Sequence, residues 1–228
     1  MSLTKANASS STKNPAIAVL EWDAMEGNFK YYDTVAKERK YLADSEFSFV
    51  VLDQLSNVSG WVKDVGGCRA TETHNLTANP IRVQSWKDGK PTLIKEGMYK
   101  DIKESLKSMG IKYRKIVYAM TVASDDFGVG EIVKLDLGGC AMSEWIEADV
   151  KDGKQVSLGQ AEEVQLNKMV SYNKPSFGVT TPETDILSEA EAADKELQAY
   201  FDGKKAVVAM PKQDDLDVSE EYEDDVPF

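Results

Sequence analysis

Histidine occurs once in this chain, as His74, and cysteine twice, as Cys68 and Cys140, among 228 residues. That scarcity closes off several classes of chemistry. The two cysteines are far apart in sequence and form no C-x-x-C, and with the one histidine they supply no tetrahedral zinc site unless acids help, so no metal or cofactor is expected. No nucleophile is placed with a base as acyl transfer requires, and Asp125-Asp126, set in a Ser/Gly loop, reads as turn chemistry. Gly128-Val129-Gly130 has the spacing of neither a P-loop nor a dinucleotide fingerprint. The expectation is a protein that is not an enzyme. Long apolar runs are lacking too. The opening MSLTKANASSSTKNP is polar and holds no secretory core segment, and no stretch reaches the length of a membrane span. A cytoplasmic protein with no membrane partner follows, with both thiols reduced and the sequons at Asn7, Asn57 and Asn75 chance matches. There is no internal repeat.

Positive charge is also short, with 27 Lys and Arg against 39 Asp and Glu and a net charge of −12. Its distribution matters more than its sum. Residues 61–120 hold twelve Lys/Arg against six Asp/Glu, a net of +6, whereas the last fifteen residues, DDLDVSEEYEDDVPF, hold eight acids and no base. The chain is bipolar, with a basic middle and an acidic end, so an acidic total does not exclude nucleic-acid binding.

Hydrophobic residues make up 42%, enough for one sizeable domain. Residues 1–15 read as a flexible N-terminus. Ala16–Trp22 is a first short strand, and residues 23–46 fit no clear pattern. Phe47–Leu55 is a strand dense in aromatic and β-branched residues. A turn at Asn57 would lead into Ser59–Val65, and Cys68–Thr73 would continue or follow it. Ile81–Trp86 alternates, the dipeptide Asp88-Gly89 turns, and Pro91–Lys95 pairs back. Met98–Met109 has a helical period, with Met98, Ile102, Leu106 and Met109 on one side, Lys100, Lys103 and Lys107 on its solvated face, and Gly110 as cap. Lys112–Val122 and Glu131–Leu137 are strands, Ala141–Ile146 a short helix, Asp152-Gly153 a turn and Asn167–Tyr172 a late strand. Phe127, Trp145 and Phe177 read as core. Ser188 and Glu191 have the spacing of a capping box, opening a helix that Gly203 closes; Lys204–Met210 has some strand character. The fold class is mainly β with inserted helices. A helix before a long strand suggests an OB-fold-like β-barrel over 16–180, then a helix and linker over 181–203 and a disordered acidic tail over 204–228.

Binding an unpaired strand of nucleic acid without sequence choice needs cations for phosphates and flat aromatic faces for bases. Ile81–Trp86 places Arg82 and Trp86 on one face with Gln84 between them. Trp61 with Lys63, and Tyr113 with Lys115, repeat the pairing of an aromatic with a cation two residues away. Arg69, Lys87, Lys90, Lys112 and Arg114 add charge nearby in sequence. A lone tryptophan is more often core than interface; three such pairs inside the one basic stretch argue for a surface that holds DNA.

The acidic run repels itself and has too little apolar surface to fold, yet it ends on Asp224, Asp225, Val226, Pro227 and Phe228. This ending resembles the acidic tip of bacterial single-stranded-DNA-binding proteins, where acids precede Ile-Pro-Phe; Val226 is the departure. The layout as a whole resembles a phage-encoded single-stranded-DNA-binding protein. The resemblance implies sequence-tolerant binding of single-stranded DNA in replication, recombination or repair, within a bacterial host's cytoplasm. It also implies a tip that recruits replication and recombination proteins, in a tail that competes with DNA. The domain is longer than the bacterial family's, so that family's tetramer does not carry over and the oligomeric state stays open. The other readings are a strand-annealing recombination mediator, and a virion or interaction protein whose tail only solubilises it.

Overall fold

The computed structural model describes residues 13–43, 46–87, 90–167 and 169–209. The N-terminal stretch through 12, the Asp88-Gly89 turn and the acidic run with its tip at Asp224–Phe228 lie outside them. The protein is mainly β. Among the described residues eleven strands form one open, mixed sheet, and three helices pack on it: β1 (Ala18–Asp23), β2 (Asn28–Asp33), β3 (Glu38–Tyr41), β4 (Ser48–Val62), β5 (Gly66–Arg69), β6 (Ile81–Lys87), β7 (Lys90–Gly97), α1 (Tyr99–Ser108), β8 (Lys112–Ala123), β9 (Ile132–Leu137), α2 (Gly139–Glu147), β10 (Gln155–Asn167), β11 (Val170–Thr180) and α3 (Thr184–Ala209).

The strand order is β3-β2-β1-β9-β8-β4-β5-β6-β7, with the β10–β11 hairpin attached to β4. Among the described strands only β1 with β9 is a parallel pair. Strand β4 organises the sheet. Antiparallel β8 lines one of its edges from Ser48↔Ala123 to Ser59↔Lys112, while β10 and then β5 share the other. The turn expected at Asn57 is absent. Asn57 is buried in mid-strand, its side-chain oxygen accepting the Val58 amide at 2.6 Å. Twelve residues of β8 to pair with outweigh a local turn preference. The reversal falls instead at residues 63–65, where Asp64 takes φ 66 and the Val65 amide bonds to Val62 at 3.2 Å. Gly60 is required for a different reason: a Cβ there would stand 2.4 Å from the Gly110 carbonyl.

Residues 116–121 of β8 are all buried, and the cores they join alternate, which assigns the two faces. Val117 and Ala119 join Phe29, Phe49, Leu135 and Trp145 in the largest core, which α2 covers. On that same face, Val58, Cys68, Val83, Ile102 and Leu106 form a second core under α1. Ile116, Tyr118 and Met120 point the other way and are covered by α3. Ala190 of α3 meets Val50 and Met120, while Leu197 and Tyr200 meet Leu55, Ile116 and Tyr118. The helix therefore runs in the direction of β4, toward the end that carries Trp61.

Several expectations need correction. Within the stretch that fitted no pattern, residues 28–41 form the hairpin β2–β3. The late strand is a long hairpin, β10–β11, whose Gly159 and half-exposed polar residues hide any period. Helix α3 starts at Thr184; Ser188 is already inside it, donating to the Thr184 carbonyl at 3.0 Å, and caps nothing. Nor does Gly203 close it: the backbone stays helical to Ala209, so residues 204–209 are helix where strand and disordered tail were expected. Among the described residues no helix is long and apolar enough to cross a membrane.

Candidate nucleic-acid interface

Strand β6 buries Ile81, Val83 and Ser85 and turns Arg82, Gln84 and Trp86 outward, because its inner residues fill the core under α1. Trp86 is 48% exposed and Trp61, on β4, 76% exposed. Strand β5 joins them. Ser59 pairs with Arg69 and Trp61 with Gly67. Arg69 in turn pairs with Gln84, and Cys68 with Ser85. Directly paired residues share a face, so Trp61, Arg69, Arg82, Gln84 and Trp86 project from the same side of the sheet. The guanidinium of Arg69 lies over the Trp86 ring, 5.1 Å from its centroid. That contact fixes the indole and leaves a cation beside it.

Neighbouring strands extend the surface. Lys112 pairs with Ser59 and is exposed on this face. Arg114 follows on the same face, but its side chain lies against the sheet, its Nε 3.7 Å from Asp136 Oδ1, a pairing too long for a hydrogen bond. Burial raises the Asp136 pKa and the Arg114 charge opposes that shift. Arg114 thus serves a buried ion pair more than a phosphate. Arg82 is engaged by Glu96 of β7 at 3.3 Å, both side chains being half-exposed, and a pair of this kind contributes little stability and exchanges easily. Pro91 pairs with Trp86 and Leu93, 46% exposed, pairs with Gln84, so β7 supplies an apolar rim that residue patterning did not single out. Only the register across three strands could have found it.

Besides Arg114, three more of the ten expected residues stand differently. Lys63 is exposed but lies in the turn after β4, not on a strand face with Trp61. Tyr113 and Lys115 point to the opposite face of β8, because Lys112 and Arg114 take the outer one. Tyr113 packs against the core under α1, and its hydroxyl shares a 2.8 Å hydrogen bond with Ser56. Lys115 is half-buried beside Gln54 and Trp145 in a small cavity, and burial lowers its pKa. They do not belong to the Trp61–Trp86 surface. Lys87 follows Trp86 and ends β6. Trp145 is core as expected, its Nε1 donating to Gln54 Oε1 at 3.0 Å, and Asp126 accepts from the Tyr31 hydroxyl and the Ala43 amide.

Two exposed indoles, a stacked guanidinium and further cations on one rigid sheet can stack unpaired bases and neutralise their phosphates. Comparison with protein-family models, with curated proteins and with solved structures finds nothing that matches this chain.

Proposed function

We propose that this protein binds single-stranded DNA without sequence choice, as a phage-encoded single-stranded-DNA-binding protein does in replication and recombination. The observation that carries the reading is the common face of Trp61 and Trp86 with Arg69 stacked on one of them. Large aromatic side chains left in water are costly to an isolated protein and useful to one that stacks bases. In this reading Lys63, Arg69, Arg82, Lys87 and Lys112 serve phosphates, while Tyr113, Arg114 and Lys115 support the sheet behind them. Strands β4, β5, β6, β8 and β9, with α1 entering between the third and fourth, support describing this part as OB-like, with β7 added at its edge.

The acidic run after α3 would compete with DNA for the same cations and recruit replication partners through Asp224, Asp225, Val226, Pro227 and Phe228. The direction of α3, toward the Trp61 end of the sheet, favours that competition. The test is a fluorescence titration with oligo-dT at two or more salt concentrations. Quenching of tryptophan emission is expected, with log K falling against log salt at a slope near −0.7 for each phosphate contacted. A flat salt response, or equal affinity for duplex, would overturn the reading.

A further inference from the structure

Strand β5 begins with two glycines that differ in what they require. Gly66 takes φ +99, a conformation that side chains rarely adopt, and the turn needs glycine there. Gly67 has no such φ. A Cβ built on it would meet only Cε3 and Cζ3 of Trp61, both at 3.9 Å, which is ordinary van der Waals contact. Neither the backbone nor the space demands glycine at this position. Yet glycine in a strand costs roughly 0.5–1 kcal/mol relative to alanine, and more relative to the β-branched residues that strands favour. A glycine that folding does not need often marks a place where a ligand comes close.

Its position says what would come close. Trp61 is its partner on β4, and the register that pairs Cys68 with Ser85 brings Trp86 opposite it on β6. Gly67 is therefore the floor between the two exposed indoles. Two strand spacings, roughly 9.5 Å, separate the flanking backbones. A flat ring needs about 3.5–4 Å of contact distance on each side. Backbones that far apart, with no side chain between them, leave room for one flat ring.

We propose that Gly67 floors a slot for a single unpaired nucleobase, held between Trp61 and Trp86, with Arg69 beside it for the adjoining phosphate. The inference rests on the single-stranded-DNA reading above and deepens it. A base inside a duplex has its faces covered by its neighbours and cannot enter, so the slot would be where unpaired DNA is told from paired. Every residue larger than glycine fills it from below.

The experiment uses the full chain with Gly67→Ala and Gly67→Val, and two probes of equal length: oligo-dT, and the same sugar-phosphate chain with abasic positions. Both variants are expected to fold, with thermal midpoints at or above the original. Gly67→Val should bind oligo-dT between about five- and 150-fold more weakly, the loss of one stacked base, with Gly67→Ala intermediate. Affinity for the abasic probe should stay the same. If the original protein binds neither probe, the reading of the whole face fails. If it binds oligo-dT and Gly67→Val binds as well, the slot is overturned while the face stands. Equal losses on both probes also overturn the slot, since they would report damage to phosphate contacts. A Gly67→Val chain that unfolds would show that the fold needs this glycine after all.

Discussion

Trp86 and Trp145 are the same side chain put to opposite uses. Trp145 is 1% exposed, stacked 6.2 Å from Phe49 and bonded to Gln54, whereas Trp86 is half in water with a guanidinium over it. Trp86→Ala should weaken oligo-dT binding by roughly 1–3 kcal/mol while the denaturation midpoint hardly moves. Trp145→Ala, read in the same urea titration, should cost about 3–5 kcal/mol of stability. A large stability loss in the first variant would make Trp86 core. Tyr31 gives a pH signature at this scale. Burial and its hydrogen bond to Asp126 push its pKa up to about 12 from an ordinary 10.0. The folded state holds the phenol neutral where the unfolded chain ionises it, so this contribution is complete below pH 10 and is lost as pH rises toward 12. The pKa values of Tyr41, Tyr99 and Tyr118 are raised as well. Ultraviolet titration should therefore show several late-ionising tyrosines, of which Tyr31→Phe removes one, and the alkaline limb of the stability curve should flatten in that variant.

Among the elements, α3 is longer than the segment expected to open near Ser188 and close at Gly203. Leu197 and Tyr200 are buried against β4 and β8, and that docking carries the helix past Gly203, where an isolated segment would stop. Nothing lies within 4 Å of a Cβ built on Gly203, and its φ is not positive. Gly203→Ala should therefore stabilise the protein by about 0.5–1 kcal/mol through helix propensity alone. Calorimetry would read this as a rise in the midpoint; a fall would mean that the helix does not pass through this position. A turn preference lost at Asn57 makes the same point for strands. Residue preference near an element boundary is worth less than the partner the chain finds far away.

For the whole molecule the question is how one chain carries a basic surface and an acidic end without collapsing one onto the other. The nineteen residues beyond 209 would span, as a coil, roughly 24 Å root-mean-square, while a domain of this size has a radius of gyration near 16 Å. A coil of that length would reach the face of Trp61 and Trp86 from the end of α3. Such an attraction is screened within roughly 8–10 Å at ordinary salt. A chain ending at Gln213 should bind single-stranded DNA more tightly in dilute buffer and about equally in concentrated salt. Phe228→Ala should leave DNA affinity unchanged and abolish capture of a replication partner. No change in affinity at any salt on removing the run would end the competition half of the proposal.

What the sequence determined by itself was local: the alternation that turns Arg82, Gln84 and Trp86 outward from β6, the helical period of α1, the strand character of β4, β8 and β9, and the segregation of charge. Each depends on the fixed repeat of a strand or a helix, so residues a few positions apart suffice to read it. Which residues meet was decided by tertiary structure. Trp61 and Trp86 are joined only because β5 lies between β4 and β6 with Gly67 as its floor. Tyr113 and Lys115 matched the aromatic-and-cation pattern as well as any pair, yet a register that puts Lys112 beside Ser59 turns them to the other side. A shift of one residue along β8 would have reversed that assignment, since strand faces repeat every two residues. The register is set by burial of Val117 and Ala119 on one face and Ile116 and Tyr118 on the other, against partners distant in sequence.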